Sequence, residues 1–406
     1  MPLCESSNGV KIYYRRYGHG STKVLLIIGL AGTHDSWGPQ VKGLTGSIEA
    51  NDDDDLEAPP CVHTNQEEKS KLDRTRDEEE EEQEDGIEIC CFDNRGMGRS
   101  SVPTNKSDYT TTKMAGDALA ILDHLGWKKA HVFGHSMGSM IACKLAAIAP
   151  ERLCSLALLN ATGGGFECFP KLDRQMMSLA YRFLRAKTPE QRAHVDLDTH
   201  YTKEYLDEYV GSSTRRKILY QEYVKGISST GMQSNYGFEG QVNACWTHKM
   251  TPKELDTVRL AGFPISVIHG RYDVIAQLSH AKRLAEKLHP AARMVELHGA
   301  HLVSHERPDE VNQALKDLIE ASKSKEIADD WSYMPESESG WLILRAPMSL
   351  SKLRSDGANT LLTIYSFLGK LQLSFIYIIG LLVMGFDHIK SIFCIMKPVR
   401  VATIES

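Results

Sequence analysis

The sequence predicts an α/β protein: a mostly parallel central sheet flanked by helices, with a helical insertion and an apolar C-terminal segment. Three observations predict it. Short β-type runs (Val24–Gly29, Ile87–Phe92, Lys129–Gly134, Leu156–Leu159, Pro264–Gly270, Arg293–Leu297) alternate with helix-type runs. Polar residues of reactive type fall just after several of these runs, where open α/β sheets gather their functional groups. From about Phe166 to Thr257 the strand pattern stops and a helical one continues.

The elements follow in order. Val10–Tyr17 reads as a first strand, with Val24–Gly29 next to it, then a helix-like Trp37–Ser47. Thr110–Leu125 is a helix, because Met114, Ala118, Ile121, Leu122 and Leu125 recur at helical spacing. Lys129–Gly134 is a strand that runs into Gly134-His135-Ser136-Met137-Gly138, and Met137–Ala149 is a helix. Gly-x-Ser-x-Gly between a strand and a helix carries a mechanism. The turn holds the Ser136 hydroxyl exposed, the glycines let the backbones approach, and the helix aims its first N–H groups at the reaction site. A Gly/Ser turn with no chemical role is the plainer reading of the five residues alone.

An activated serine needs a base, and the base needs a carboxylate to orient it. Asp273 follows the strand Pro264–Gly270, and His301 follows the strand Arg293–Leu297, in the order Ser…Asp…His. Asp273 could instead cap a helix beginning near Ile275. His301 competes with His269, which precedes a glycine turn, with His298 on a strand end, and with His305 in the next helix. The strand Leu156–Leu159 ends in Asn160, which cannot serve as a carboxylate, and Asp93 reads as an anchor for the Arg95-Gly96 turn and Ser100. Ser136, Asp273 and His301 are therefore the candidate catalytic residues.

Four blocks carry a family resemblance: Val24–Gly32 with Trp37 after it, Cys91–Ser100, the Ser136 turn, and the Asp273/His301 pair. Over about Asn8 to Ser324, less one insertion, the chain resembles the α/β-hydrolase fold enzymes, in particular 3-oxoadipate enol-lactonase-like and aminoacrylate-hydrolase-like serine hydrolases. The resemblance implies Ser136 as nucleophile, Asp273 as acid and His301 as base. It also implies an oxyanion hole from the backbone N–H groups of Leu30 and Met137, where losing one donor typically costs about 10²–10³ in rate. It implies a helical cap after the Gly163-Gly164-Gly165 hinge. Two departures are informative. Ile28-Gly29 stands where many relatives have His-Gly, which removes a polar neighbour but not the backbone donors. Serine rather than aspartate at the turn disfavours epoxide-hydrolase and dehalogenase chemistry.

The resulting organisation is hydrolase core at 1–50, 87–162 and 258–325, an acidic insertion at 51–86, a helical cap at 163–257, a linker at 326–358, an apolar tail at 359–396 and a polar end at 397–406. The insertion holds sixteen acids and four bases, a local charge of −12, so the rest of the −6 chain carries +6. It has few large apolar residues and is expected to be a disordered surface loop, as a solvated tether or as a dock for a basic partner. Within the tail, Leu371–Phe386 is free of charged residues. Its helical length of about 24 Å is short of a ~30 Å hydrocarbon core, so a tilted span, an interfacial helix and a buried helix all fit. Membrane association through this tail is the expectation, with Cys394 a candidate for S-acylation and a cytoplasmic-face location.

Composition sets the remaining bounds. At 406 residues, 42% hydrophobic and 25% charged, the chain is ordinary for a globular enzyme. Nine cysteines, an odd number without metal-ligand spacing, suggest free thiols in a reducing compartment, and the N-terminus has no apolar signal region. No Gly-rich phosphate loop, zinc cluster or basic stripe is present, so no cofactor, metal or nucleic-acid partner is expected. His194, Asp196, Asp198 and His200 have ligand-type side chains, but their alternate spacing suits a solvated loop better. Tyr181, Phe183, Tyr201, Tyr205, Tyr209, Tyr220 and Tyr223 enrich the cap in aromatics, most as packing and some as candidate lining of an acyl or lactone pocket. The expected substrate is a small-molecule or lipid-derived ester, thioester or lactone. The contrasting expectation is a slow or inactive ligand-binding or scaffold protein on the same fold.

Overall fold

The computed structural model describes residues 2–51, 86–169, 174–230, 233–323 and Trp331. The acidic insertion falls almost wholly outside these residues, and the apolar tail wholly so. Among the described residues no helix is long and apolar enough to cross a membrane.

Eight strands form one sheet: β1 (Leu3–Glu5), β2 (Lys11–Tyr17), β3 (Thr22–Ile27), β4 (Ile87–Phe92), β5 (Ala130–His135), β6 (Leu153–Leu159), β9 (Ile265–Gly270) and β10 (Ala292–Leu297). Their order is β1-β2-β4-β3-β5-β6-β9-β10. Pairings β1–β2 and β2–β4 are antiparallel, and those from β4 through β10 are parallel. A separate small hairpin joins β7 (Tyr209–Val210) to β8 (Ser213–Thr214) within the helical insertion.

Parallel strands covered on both faces need apolar residues on both sides. In β3, Leu25 and Ile27 enter one core while Val24 and Leu26 enter the other. The first core is closed by the helices Thr111–His124, Met137–Ile148 and Leu278–Leu288, and the second by Gly38–Thr45 and Pro308–Lys323. β3 is the switch point: β4 lies on one side of it and β5 on the other. The loops leaving β3 and β5 therefore diverge and leave a crevice at the carboxyl edge of the sheet.

Three expectations change. Leu3–Glu5 adds an edge strand ahead of the one foreseen. It is too short for its pattern to be read, and Cys4 is its one buried residue. The expected cap boundary at 257 cuts the helix Pro252–Arg259, which packs on the core, where Lys144 binds Glu254 at 2.5 Å. The expected linker contains Trp331, which is 3% exposed; its indole N–H donates to the Ile265 carbonyl at 2.7 Å and Arg293 covers its ring. Five helices from Arg174–Arg185 to Asn235–Thr247, of differing length, account for the insertion's helical pattern only in part, since Tyr209–Val210 and Ser213–Thr214 are extended.

One ion pair ties the turn after β4 to the Thr111–His124 helix. Arg95 clasps Asp117 through two bonds of 2.6 Å, both side chains buried, and Ser6 donates to the same carboxylate. Asp117→Ala strands a buried guanidinium, so unfolding in urea is expected to show a loss of about 3–5 kcal/mol; a loss below about 1 kcal/mol would contradict this account.

Candidate active site

Ser136 stands between β5 and the Met137–Ile148 helix with φ 54° and ψ −118°. This is a costly backbone for a residue with a Cβ, and it persists only where surroundings dictate it. They do here. A Cβ at Gly138 would lie 2.0 Å from the Ile27 carbonyl oxygen, and one at Gly134 would lie 2.3 Å from that of Gly138. The two glycines let the helix begin in backbone contact with the strands, and the intervening serine takes up the strain.

Among the described residues, only two other non-glycine residues have positive φ, and both lie at the same sheet edge: Ala31 (60°) after β3 and Asn160 (49°) after β6. Backbone strain of this kind clusters at active sites and ligand clamps, which makes this edge the candidate site.

The structure brings Ser136, His301 and Asp273 together. His301 Nε2 is 3.1 Å from Ser136 Oγ, and His301 Nδ1 is 2.8 Å from Asp273 Oδ2. Asp273 also accepts from the Asn160 amide at 2.7 Å and from the backbone N–H groups of Ile275 and Ala276 at 2.8 and 2.9 Å. The turn-capping role and the orienting role thus coexist, one on each carboxylate oxygen. Burial alone would raise the Asp273 carboxyl, but His301, His269 and Asn160 outweigh it and bring it down to about 2.

The competing residues lie elsewhere. His269 is buried with Nε2 on the Ala276 carbonyl, 3.7 Å from Asp273. His298 meets Arg307, and His305 donates to the Ser36 carbonyl. Asp93 serves the loops: it accepts from the His34 N–H and ring and from the Arg99 N–H, while its carbonyl accepts from Ser100.

The backbone groups expected to form an oxyanion hole are close by. Met137 is the first residue of its helix, where an N–H has no intrahelical acceptor. Gly29, just before Leu30, abuts the nucleophile position: a Cβ there would lie 3.1 Å from Ser136 Cβ. The buried Gln241 holds the loop, accepting from Ala31 N–H at 2.9 Å and donating to the Arg95 carbonyl at 3.0 Å. No local sequence signal marks Gln241, since its partners are 210 and 146 residues away.

Two more residues were not foreseen at the site. His135 lies edge-on to His301, ring centroids 5.0 Å apart, and its Nε2 donates to the His301 carbonyl at 2.8 Å. His200 stacks on His301 from the insertion, at 6.1 Å and 28°. This corrects the reading of His194, Asp196, Asp198 and His200 as a solvated loop. They lie on the helix Pro189–His200, where Asp196 pairs with Arg192 and Asp198 with Arg182 and Arg216. Among the described residues no cluster of three or more His, Cys, Asp or Glu side chains is placed to hold a metal ion. The segment after His200 is bolted to the His301 loop. Glu306 accepts from Thr202 N–H, Thr202 Oγ1 and Ala300 N–H at 2.7, 2.9 and 3.1 Å, and Leu302 N–H donates to the His200 carbonyl at 2.9 Å.

A cavity of about 590 Å³ lies beside Asp273, between that loop and the insertion helices; Leu179, Tyr201, Leu206, Tyr272 and Val274 are among its walls. A second, of about 620 Å³, opens at the opposite ends of the strands, near Thr22, Lys129 and Leu153, away from Ser136. The seven described cysteines are free thiols, and none touches the Ser136–His301–Asp273 chain.

The family model described as alpha/beta hydrolase fold matches residues 72–308. The chain belongs to the alpha/beta hydrolase fold family. Its similarities within the family are broad. A putative non-heme bromoperoxidase, BpoC, of Mycobacterium tuberculosis is 28% identical over 242 residues, 59% of this chain and 85% of the relative. A putative carbamate hydrolase, RutD, of Azorhizobium caulinodans is 24% identical over 320 residues, 78% of this chain and 97% of the relative. The crystal structure of the enol-lactonase from Burkholderia xenovorans LB400 superposes with a TM-score of 0.56 at 21% identity, covering 79% of this chain and all of that one. At that identity the superposition bears on fold alone.

The Asp273 carboxyl supplies a test that needs no substrate. Its folded value lies below the ordinary 3.8, so its stabilising contribution is complete above about pH 4 and is lost as pH falls towards 2. The stability advantage of wild type over Asp273→Asn is expected to shrink by about 2 kcal/mol across that window. A difference independent of pH from 5 to 2 would contradict the charge assignment.

Proposed function

We propose that this α/β hydrolase is a serine hydrolase acting on a carboxylic ester, thioester or lactone. The observation that carries the proposal is the hydrogen-bonded chain Ser136–His301–Asp273 on a strained turn at the carboxyl edge of the sheet. His301 takes the Ser136 proton as Oγ attacks the carbonyl carbon. The N–H groups of Leu30 and Met137 receive the developing oxyanion. His301 returns the proton to the leaving alcohol or thiol, and an acyl-Ser136 ester remains. His301 then deprotonates water, which attacks that ester; the acid leaves and Ser136 is restored. Asp273 fixes the His301 tautomer with Nδ1–H donating, so that Nε2 faces Ser136.

The name of one relative, a putative carbamate hydrolase, supports carbonyl chemistry. The insertion at 163–257 acts as a cap in this reading. The expected membrane-associated tail and its link to lipid-derived esters concern residues outside the described ones.

Hydrolysis of p-nitrophenyl esters of graded acyl length tests the proposal. Wild type is expected to turn over short or medium esters with an initial burst. Ser136→Ala is expected to lower kcat by about 10⁶-fold and Asp273→Asn by about 10⁴-fold. Turnover by a folded Ser136→Ala variant at the wild-type rate would overturn the assignment.

A further inference from the structure

His200 belongs to a chain of polar contacts that ends on a carbonyl. Its Nδ1 lies 3.5 Å from Tyr223 Oη, Tyr223 Oη lies 3.3 Å from Tyr201 Oη, Tyr201 Oη lies 3.4 Å from His305 Nδ1, and His305 Nε2 lies 2.7 Å from the Ser36 carbonyl oxygen. The end point fixes every proton. A carbonyl only accepts, so His305 carries its proton on Nε2, and the neutral ring then accepts at Nδ1. Tyr201 spends its one proton on that acceptor. Tyr223 spends its own on Tyr201. The remaining contact is made only if His200 donates from Nδ1, which leaves Nε2 bearing a lone pair. Burial and the neighbouring His301 push His200 down to about 3, and burial also lowers His305, which favours the neutral form of each ring.

Among the described residues, His200 Nε2 has no hydrogen-bond partner. The ring is not loose: the Leu302 N–H holds the His200 carbonyl, and the imidazole lies against that of His301. The His200 ring lies 6.1 Å, centre to centre, from the ring of the proposed base. We propose that His200 is a specificity-determining residue whose Nε2 accepts a hydrogen bond from a substrate hydroxyl or N–H close to the scissile carbonyl, and that Tyr223, Tyr201 and His305 set its tautomer. The enzyme is thereby matched to hydroxylated or amide-bearing acyl groups over plain alkanoyl ones. This rests on the serine hydrolase reading.

The test pairs a spectrum with a substrate ratio. In a two-bond ¹H–¹⁵N spectrum of protein labelled at histidine, His200 is expected as the Nδ1–H tautomer, shifting towards Nε2–H in Tyr223→Phe. With p-nitrophenyl butanoate, 2-hydroxybutanoate and 3-hydroxybutanoate, wild type is expected to favour one hydroxylated ester over butanoate by about five- to tenfold in kcat/KM. The ratio is expected to fall to about one in His200→Phe and partway in Tyr223→Phe, which keeps the His200 side chain. An Nε2–H tautomer in wild type, a wild-type ratio near one for both hydroxylated esters, or a ratio unchanged in His200→Phe would overturn the inference. Absence of turnover on all three esters would count against the serine hydrolase reading, and the tautomer would still decide the acceptor assignment.

Discussion

Gly138 pressed onto the Ile27 carbonyl is the contact on which the site depends. A side chain there would sit at 2.0 Å, so the helix can start where it does only because position 138 has none. Gly134 permits the same closeness on the other side. Between them Ser136 is forced to a positive φ, and its side chain is presented at the edge of the sheet rather than in its core. The strain is held by packing across the middle of the molecule, where Leu25, Ile27, Val132 and Ile141 share one core. Folding stability and the presentation of one hydroxyl are thus the same interaction viewed from two sides.

Around that hydroxyl, polar groups are organised from the acid outward. Asp273 has four donors and one destination for its charge, His301. His301 in turn lies between His135 and His200, rings kept neutral by burial. A charged neighbour would oppose protonation of His301; neutral rings pack against it without that cost. Glu306 joins Ala300 to Thr202, so the insertion and the histidine loop are positioned by one carboxylate. The insertion and the His301 loop are held as a unit on this side of the site.

Much of this was legible in the chain. Ser136, Asp273 and His301 each follow a short β-type run that is mostly apolar, Ala130–His135, Ile265–Gly270 and Ala292–Leu297, and such runs between helices mark the strands of a parallel sheet. The glycines at 134 and 138 are meaningful in any register. What could not be read depends on contacts between distant segments. Gln241 looks like any helical glutamine until Ala31 and Arg95 are placed beside it. His200 stands at the end of a helix of ordinary polarity, and its alternate spacing with Asp198, Asp196 and His194 suggested a loop. The Arg182–Asp198–Arg216 bridge, which makes a helix there favourable, is invisible along one dimension. Trp331 lies beyond the last strand and helix pattern, in what reads as a linker, yet the Ile265 carbonyl and Arg293 give it a berth.

The central claim is that Ser136 is an activated nucleophile, and intact mass spectrometry after reaction with a fluorophosphonate tests it most directly. The account predicts a single adduct, mapped to the peptide containing Ser136, that is absent from Ser136→Ala and much slower to form in His301→Ala. An unmodified wild-type protein, or an adduct on a different serine, would contradict it.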